Sequence, residues 1–399
     1  MKKYILLLLS VCGLVSCDLV SGEGEGSENA VYMGTTNRDG VTSMVVSDAN
    51  GGSVVIHPRL ANITDSPVEI TLEVDQQLLE DYNTRAGLNL EPIDGKDFVF
   101  VTSDGKEHTE RVTVVIERGA YDTSLEVKMK SIDKDKYPYS KRFAIPVSIV
   151  NASQYKVLSS PKSAIVRINR EIITSVAKFT KGGSIALAPK FTPEPMNEWT
   201  LQLSLLSPDL SHSNMTTISI NEASNEFYTR INETKGIQVK QGRDGDDTWT
   251  GKKLSTNKWL NITYVHKDAS WISVYVNGEL HKTFKVAPIY LTPKTKSCVY
   301  IGNSKFKDCY VREARMWKRA LTEGEILDKL YLPQEVSDPD LMMYMPFTRV
   351  EGGGMEELTG NWTVTDFVDM GISDDGVAKP EITYVDNVLF PSDDLVIVE

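Results

Sequence analysis

The chain of 399 residues has no excess of basic side chains. It carries 43 Lys and Arg against 55 Asp and Glu, a formal net charge of −12 at pH 7. Because binding along a phosphate backbone needs a basic surface, we expect no nucleic-acid partner. Hydrophobic residues at 41% and aromatic residues at 8% indicate a globular protein, and the length predicts two domains rather than one.

Long apolar runs are also scarce, and the only one lies at the start of the chain. Lys2 and Lys3 precede an apolar run from Tyr4 to Val11, which is too short to span a bilayer stably. Residues 1–16 are therefore predicted to be a signal peptide that takes no part in the fold.

The end of this signal, Leu14-Val15-Ser16-Cys17, resembles the lipobox of bacterial lipoproteins. The resemblance implies cleavage before Cys17 and acylation of that residue, and several acyl chains hold a protein on a membrane far more firmly than one. An ordinary signal with a stray cysteine is the alternative. Cys12 is a weaker lipidation candidate, because a branched residue precedes it.

Residues 17–29 are rich in Gly, Ser and Glu and are predicted to form a lipidated flexible tether. The acidity of this segment resembles the export signals that carry lipoproteins to the cell surface in glycan-harvesting Gram-negative anaerobes. The resemblance implies an outer-membrane lipoprotein that is exposed at the surface and contacts the membrane only through its lipid anchor.

Cysteine is rare, with four residues in the chain. Cys12 leaves with the signal and Cys17 is lipidated, so Cys298 and Cys309 remain as an even pair in a disulfide-permissive compartment. A strand from Val299 to Ile301, a turn and a returning strand from Cys309 would place the two opposite each other. We predict a cross-strand disulfide, with two free thiols or half of a metal site as the alternatives.

Residues 30–170 consist of short segments with period-2 alternation, separated by turn signals, with one helix-like stretch at Gln76 to Arg85. This spacing is typical of an antiparallel β-sandwich. Three blocks, Val68 to Asn83, Arg111 to Met129 and Tyr139 to Ser153, resemble the DUF1735-type domain found at the front of many such lipoproteins. The resemblance implies an immunoglobulin-like sandwich that serves as a spacer or accessory module, without an activity of its own.

Residues 171–399 follow a joint near Arg170 to Val176 and continue with short strands. Asn277-Gly278 suits a type I′ turn, and Thr322 with Glu325 predicts the capped start of a helix.

The blocks KWLNITYVHKDASWISVYVNGEL, CVYIGNSKFKDCYVREARMWKRALTEGEI and LMMYMPFTRVEGGGMEELTGNW resemble the laminin-G, concanavalin A-like jelly roll over roughly residues 177 to 365. The remaining C-terminal extension has one candidate strand, Glu381 to Pro391. The predicted fold is thus all-β, an immunoglobulin-like sandwich followed by a jelly roll.

Glucanases share this jelly roll, so a catalytic site must be considered. Their Glu-x-Asp-x-Glu triplet, which aims three carboxyls at one face of a strand, is absent. The acidic pairs Glu356-Glu357 and Asp374-Asp375 lie in turn-like surroundings, and the five histidines have no metal-ligand spacing. No nucleophile elbow or phosphate-binding glycine loop occurs. We therefore predict a protein that is not an enzyme and carries no catalytic residues.

Sugar-binding sites pair an aromatic ring with acids, amides or arginine. The laminin-G pattern places Trp199, Trp259 and Trp317 in the core and Trp362 against a sheet edge, while Trp271 is open to either role. Trp249 differs, because it lies in the loop QGRDGDDTWTGKK, which has no periodicity that would bury it.

The candidate ligand-binding residues are Trp249, the neighbouring strand residue Tyr228, and the loop residues Arg243, Asp244, Asp246 and Asp247. Laminin-G relatives often bind Ca²⁺ through loop carboxylates, so calcium is an alternative role for the three aspartates. Solvated surface charge is the simpler interpretation, and we predict no cofactor or metal site.

These observations predict a non-catalytic surface lipoprotein that binds a complex glycan. By resemblance it would work beside the components of an outer-membrane glycan importer, through weak multivalent contacts. Two alternatives are an adhesin that binds a host or partner protein and a divergent glycoside hydrolase, since fold alone does not decide function.

Overall fold

The computed structural model describes residues 29–34, 40–220, 227–241, 246–289, 291, 298–351, 355–366 and 380–398. Strands are the main regular structure in this part of the chain, and the predicted all-β class is confirmed. The predicted signal peptide, Cys17 and nearly all of the tether lie outside the described residues. Neither α-helix in the described ranges has the length and hydrophobicity of a membrane-crossing segment.

Residues 30–170 are called the first module. Its elements are β1 (Ala30–Met33), β2 (Val41–Val46), β3 (Gly52–Ile56), β4 (Pro58–Leu60), β5 (Val68–Val74), α1 (Gln76–Ala86), β6 (Leu90–Pro92), β7 (Val99–Val101), β8 (Glu107–His108), β9 (Arg111–Ile116), β10 (Leu125–Met129), β11 (Arg142–Ala152), β12 (Lys156–Val157) and β13 (Ser163–Arg170).

The first module is a β-sandwich built on two larger sheets, with strand orders β3-β10-β7-β8 and β2-β13-β11-β5-β9. A small sheet, β12-β1-β4, completes it, and β6 pairs with β11. The alternation in β9 buries Val112, Val114 and Ile116 in the core and exposes the residues between them, as period 2 requires. Most pairings are antiparallel as predicted, but β1–β12, β6–β11 and β2–β13 are parallel.

The predicted helix is α1. Asp75 caps it by accepting a hydrogen bond from the Leu78 amide at 3.2 Å, which satisfies a donor that the helix itself leaves free. Gly87 ends it in the left-handed conformation, at φ 63°, where glycine carries no side-chain penalty.

Residues 172–398 are called the second module. Its elements are β14 (Ile172–Lys181), β15 (Ile185–Pro189), β16 (Trp199–Leu206), β17 (Thr216–Ile220), β18 (Phe227–Asn232), β19 (Gly236–Lys240), a 3-10 helix (Asp246–Thr248), β20 (Trp259–Lys267), β21 (Trp271–Val276), β22 (Glu279–Lys285), β23 (Val299–Ile301), β24 (Cys309–Trp317), α2 (Glu323–Lys329), β25 (Leu341–Met345), β26 (Trp362–Asp366), β27 (Glu381–Phe390) and β28 (Val396–Ile397).

Two sheets face each other in the second module. The nine-stranded sheet has the order β22-β21-β20-β16-β24-β14-β27-β28, with β25 on β24, and the six-stranded sheet has the order β19-β18-β17-β23-β15-β26. Their inner faces bury one apolar core, which includes Leu203 and Ile262 from the first sheet and Ile231 and Ile237 from the second. The C-terminal strand β27 pairs along β14, so the end of the chain is part of the nine-stranded sheet.

Two local predictions in the second module are confirmed. Asn277 and Gly278 join β21 to β22 with φ of 52° and 80°, as a type I′ turn requires. Thr322 and Glu325 form the capping box of α2, in which each side chain bonds the backbone amide of the other.

The disulfide prediction is wrong, because Cys298 and Cys309 are both free and buried. Val299–Ile301 and the strand from Cys309 do not form a hairpin. Strand β23 pairs with β15 and β17 in the six-stranded sheet. Strand β24 pairs with β14 and β16 in the nine-stranded sheet. Burial in the core raises the pKa of each thiol to about 12, so both are protonated and unreactive in the folded state.

The two modules meet with almost no linker. The last strand of the first module ends at Arg170 and β14 begins at Ile172, which leaves Glu171 alone between them. Arg142 donates hydrogen bonds from Nε to the Asp328 carbonyl at 2.6 Å and from Nη2 to the Leu330 carbonyl at 3.0 Å. A cation therefore meets the C-terminal end of α2, where the carbonyls lack helical partners.

A buried histidine lies inside the second module. His266 has no exposed surface, and its ring stacks on Trp199 at 5.0 Å between centroids and 12° between planes. Neither ring nitrogen makes a hydrogen bond within the described residues. Burial lowers the pKa of His266 from 6.5 to about 4, and the nearby Asn197 backbone opposes this only in part.

Candidate functional site

The β18–β19 hairpin forms one edge of the six-stranded sheet, and a side chain shapes its turn. The Asn232 side-chain oxygen accepts hydrogen bonds from the amides of Thr234 at 3.0 Å and Lys235 at 3.1 Å. Gly236 then begins β19 at φ 83°, a conformation that favours glycine. A Cβ at Gly236 would also lie 2.2 Å from the Thr250 hydroxyl. The absence of a side chain at Gly236 therefore leaves room for the segment that contains Thr250.

That segment, residues 249–251, lies against the outer edge of β19. The Thr250 amide donates to the Ile237 carbonyl at 2.8 Å, and the Gly251 amide donates to the Lys235 carbonyl at 3.0 Å. Trp249 thereby pairs with Gln238 in an isolated antiparallel bridge. Lys282 from β22 donates to the Trp249 carbonyl at 2.7 Å, which fixes the backbone of this tryptophan from the other side.

Strand alternation then gathers five side chains on the outward face of the hairpin. Phe227, Ile231, Ile237 and Val239 point into the core. The residues that alternate with them along each strand therefore point away from the core. We call this outward surface the Trp249 face; it consists of Tyr228, Arg230, Gln238, Lys240 and Trp249. Tyr228 lies opposite Lys240, and Arg230 opposite Gln238. Tyr228 lies two strand spacings from Trp249 across the sheet and two residues away along it, so their backbones are about 12 Å apart.

Cations lie over both aromatic rings of the Trp249 face. The Arg230 guanidinium carbon is 4.9 Å from the Tyr228 ring centroid, and its Nη2 donates to the Tyr228 hydroxyl at 3.3 Å. Lys240 Nζ is 5.8 Å from the same centroid, and Lys235 Nζ is 5.8 Å from the Trp249 centroid. These cation–π contacts hold the rings and the positive charges beside one another.

Two polar atoms of this face lack a partner within the described residues. Gln238 is 3% exposed, and its Nε2 donates to the Thr248 hydroxyl at 2.8 Å, but its Oε1 accepts no hydrogen bond. Arg230 Nε is likewise buried and donates to nothing. Buried polar atoms are nearly always satisfied; these two are exceptions, and because both are buried a ligand at the surface reaches neither without movement of the residues that cover them.

The structure thus brings the predicted residues Trp249 and Tyr228 to one surface, and both are partly buried there. Asp247 is exposed beside them. Arg243 and Asp244 lie outside the described residues. Asp246 begins the 3-10 helix, and only its backbone is described. The calcium alternative, which needs these aspartates together, stays a prediction. The described residues contain no group of three potential metal-ligating side chains.

Arg230, Gln238 and Lys240 were not predicted as site residues. The signal that could have found them is the alternation in FYTRIN and GIQVK, which places them on the face of Tyr228. The predicted core roles of Trp199, Trp259 and Trp317, and the sheet-edge role of Trp362, are confirmed; all four are at most 3% exposed. Trp271 is 45% exposed on the nine-stranded sheet.

A second polar cluster lies around Glu313 in β24, and it is inaccessible to solvent. The Glu313 carboxylate lies 2.7 Å from Arg312 Nη2 and 3.1 Å from Arg315 Nη2, and the side chains are 0–3% exposed. Tyr344 donates its hydroxyl to the same carboxylate at 2.9 Å. The carboxylate is saturated by these donors and has no access to solvent, so its role is structural rather than catalytic.

The acidic pair Glu356-Glu357 also has a structural explanation. Glu357 accepts hydrogen bonds from the amides of Tyr344 at 3.0 Å, Thr359 at 3.1 Å and Trp362 at 3.3 Å. A carboxylate engaged by three backbone donors organises the turn before β26. Asp374-Asp375 lie outside the described residues.

Family models match parts of both modules. Residues 180–327 match the family model of the concanavalin A-like lectin/glucanases superfamily, of the laminin-G type. Residues 27–156 match a second family model, which describes an N-terminal domain. The predicted laminin-G-like domain is therefore confirmed, and it contains the whole Trp249 face. No curated protein matches the chain significantly.

Several solved structures are similar to this chain to different degrees. A proposed carbohydrate-binding protein from Bacteroides ovatus ATCC 8483 has a TM-score of 0.51 at 18% identity, covering 90% of this chain and 97% of the other. A two-domain protein of unknown function from Bacteroides fragilis NCTC 9343 has a TM-score of 0.30 at 10% identity, covering 71% and 94%. The heptameric SAP-like pentraxin of Limulus polyphemus has a TM-score of 0.31 at 11% identity, covering 54% and 95%. The first of these supports a shared fold over both modules.

Proposed function

We propose that this protein is a non-catalytic, cell-surface lipoprotein that binds a complex glycan on the Trp249 face of its second module. The observation that carries the proposal is the juxtaposition of Trp249 and Tyr228 with Arg230 on one sheet surface. Sugars have apolar ring faces edged by hydroxyl groups, so a binding surface needs aromatic rings beside hydrogen-bonding groups.

Each element of the Trp249 face has a use in this role. The rings of Trp249 and Tyr228 offer apolar area on backbones about 12 Å apart, which suits an extended chain more than a single sugar. The Arg230 guanidinium and the Tyr228 hydroxyl lie together at this surface, and their remaining hydrogen-bonding capacity can serve ligand hydroxyl groups.

A glycan array tests the proposal directly, with the chain from residue 28 onward as the probe. Trp249→Ala should weaken binding of any captured glycan about tenfold, which corresponds to about 1.4 kcal/mol. Trp271→Ala is the matched control, because Trp271 is a more exposed tryptophan on the other sheet and its removal should leave binding unchanged. Equal binding by both variants would reject the site, and the absence of any glycan ligand would reject the function.

The non-catalytic part of the proposal has its own test. The bound glycan is incubated with the protein, and the products are separated by chromatography. We expect the glycan to be recovered intact, because the carboxylates Glu313 and Glu357 are engaged in structural bonds. Release of shorter products, abolished by a substitution in the second module, would establish a hydrolase instead.

The location and the partners of the protein are part of the same proposal. Acylation at Cys17 and the acidic tether would place the two modules outside the outer membrane, beside a glycan importer. Protease added to whole cells should then remove the protein, whereas a protected protein would indicate a periplasmic location. Mass spectrometry of the mature amino terminus should find an acylated Cys17, and Cys17→Ala should release the protein from the membrane.

A further inference from the structure

The segment that carries Trp249 is held by both sheets of the second module. Residues 249–251 pair along β19 in the six-stranded sheet, and the contacts on the other side come from β22, the edge strand of the nine-stranded sheet. Lys282 Nζ donates to the Asp247 carbonyl at 2.9 Å and to the Trp249 carbonyl at 2.7 Å. One amine thus bonds the backbone immediately before and immediately after Thr248.

A β-bulge sets the direction of the Lys282 side chain. The register of β21 and β22 shifts between Val274 and Tyr275, which leaves His281 as an extra residue in β22. Bulges re-aim the side chains beside them, and Lys282 lies opposite Val274, on the face of the strand that packs into the core. Its Nζ lies 4.9 Å from the centroid of the Phe284 ring. The apolar stem of the lysine therefore runs along the core, and the amine reaches the carbonyls of the facing segment.

Two further contacts join the same edges of the two sheets. Lys252 Nζ donates to the Leu280 carbonyl at 3.0 Å. The Gln241 side chain exchanges two hydrogen bonds with the Ala287 backbone, at 2.6 and 3.1 Å. These contacts come before and after Trp249 in the sequence, whereas Lys282 bonds the backbone of Trp249 itself.

We infer that Lys282 is a positioning residue for the Trp249 face, because it orders the backbone of Trp249 before a glycan binds. This inference rests on the proposed function and adds how the site is kept in its binding geometry. A ligand that has to order a side chain loses affinity through the entropy of that ordering. A site that supporting contacts fix in advance avoids this loss.

Tryptophan fluorescence tests the positioning without a ligand. The test uses the chain from residue 28 onward with Trp271→Phe, because Trp271 is 45% exposed and the four core tryptophans are at most 3% exposed. Trp249 is then the accessible tryptophan. Adding Lys282→Met keeps an apolar stem and removes the hydrogen bonds to the two carbonyls. Acrylamide should quench the emission more strongly, and the emission maximum should shift to longer wavelength. Unchanged quenching with an unchanged maximum would overturn the inference, whatever the protein binds.

Three further variants separate positioning from a general loss of structure. Lys282→Gln, which is shorter but polar, should give the same increase in quenching, so the comparison does not depend on one variant. Lys282→Arg should restore the original quenching, because a guanidinium can donate to both carbonyls. Lys253→Met is the matched control, since Lys253 lies in the same segment but pairs with Glu233 at 3.4 Å. Equal changes in Lys253→Met and Lys282→Met would contradict the assignment.

Glycan binding supplies the functional readout. Lys282→Met should weaken the binding of a captured glycan about fivefold, because the ligand then has to order Trp249, and Lys282→Arg should recover most of the affinity. Equal affinity of the wild type and Lys282→Met would show that Lys282 has no role in binding. Failure of the unsubstituted protein to capture any glycan would reject the proposed function, while the fluorescence result would still decide whether Lys282 orders Trp249.

Discussion

Acid should destabilise the second module through His266, because this histidine is buried as the neutral form. Its pKa is about 4 in the folded protein against 6.5 for an unperturbed histidine. Well above pH 6.5 the residue is neutral in both states, and its titration contributes nothing to the pH dependence. As the pH falls below 6.5, the unfolded chain binds a proton that the folded protein refuses, so the free energy of unfolding decreases. At 1.36 kcal/mol per pKa unit, the loss reaches about 3 kcal/mol by pH 4.

His266→Phe should remove this pH dependence. A phenyl ring can keep the stacking on Trp199, and no hydrogen bond is lost within the described chain, because neither imidazole nitrogen makes one. At pH 7.5 the variant should be as stable as the wild type or slightly more stable. At pH 4 it should be more stable by about 3 kcal/mol.

Urea unfolding followed by tryptophan fluorescence measures the effect cleanly. All six tryptophans lie between Trp199 and Trp362, so the signal reports only on the second module. Carboxylates and other histidines titrate in both proteins and cancel in the difference. His266→Leu, which also cannot titrate, should give the same flattened pH profile. Parallel stability curves for wild type and both variants from pH 7.5 to pH 4 would refute the reasoning.

Three other predictions concern the cysteines, a helix cap and the module junction. In the chain from residue 28 onward, a thiol reagent should label neither Cys298 nor Cys309 in the native state and both after denaturation, because the thiols are free and buried; no label after denaturation would indicate a disulfide. Thr322→Ala should lower the free energy of unfolding by about 1 kcal/mol through loss of the α2 cap, measured by urea unfolding, whereas Thr322→Ser should preserve it. Arg142→Met should lower the free energy of unfolding by about 2 kcal/mol, because it removes charged hydrogen bonds to the carbonyls at the end of α2. In calorimetry, the unfolding transitions of the two modules should separate. A single unchanged transition would show that Arg142 does not couple the modules.

Local patterns in the sequence predicted the strands but not all of their partners. Alternation in β9 and β18, the Asn277-Gly278 turn and the Thr322 cap depend on neighbouring residues, so they can be inferred from short segments. The Cys298–Cys309 disulfide prediction failed for a different reason. A loop between two strands of one sheet and a loop that crosses to the facing sheet have similar composition, and long-range packing decides between them.

In the candidate site, too, local patterns were predicted and long-range pairing was not. Trp249 was predicted from its unusual loop, and Tyr228 from its neighbouring strand. Arg230 and Gln238 were missed because each is an ordinary residue in an ordinary strand. Their significance comes from the register that places Arg230 opposite Gln238 and Gln238 opposite Trp249. This register depends on residues 249–251, which follow the hairpin in sequence and pair along β19.

The short junction at Glu171 has a mechanical consequence. With one residue between β13 and β14, and with Arg142 clamped to the end of α2, the modules have little freedom to swing against each other. If a bound polymer pulled on the second module, the force would pass directly to the first module. The two modules would then reach a ligand as one unit rather than by bending at their junction.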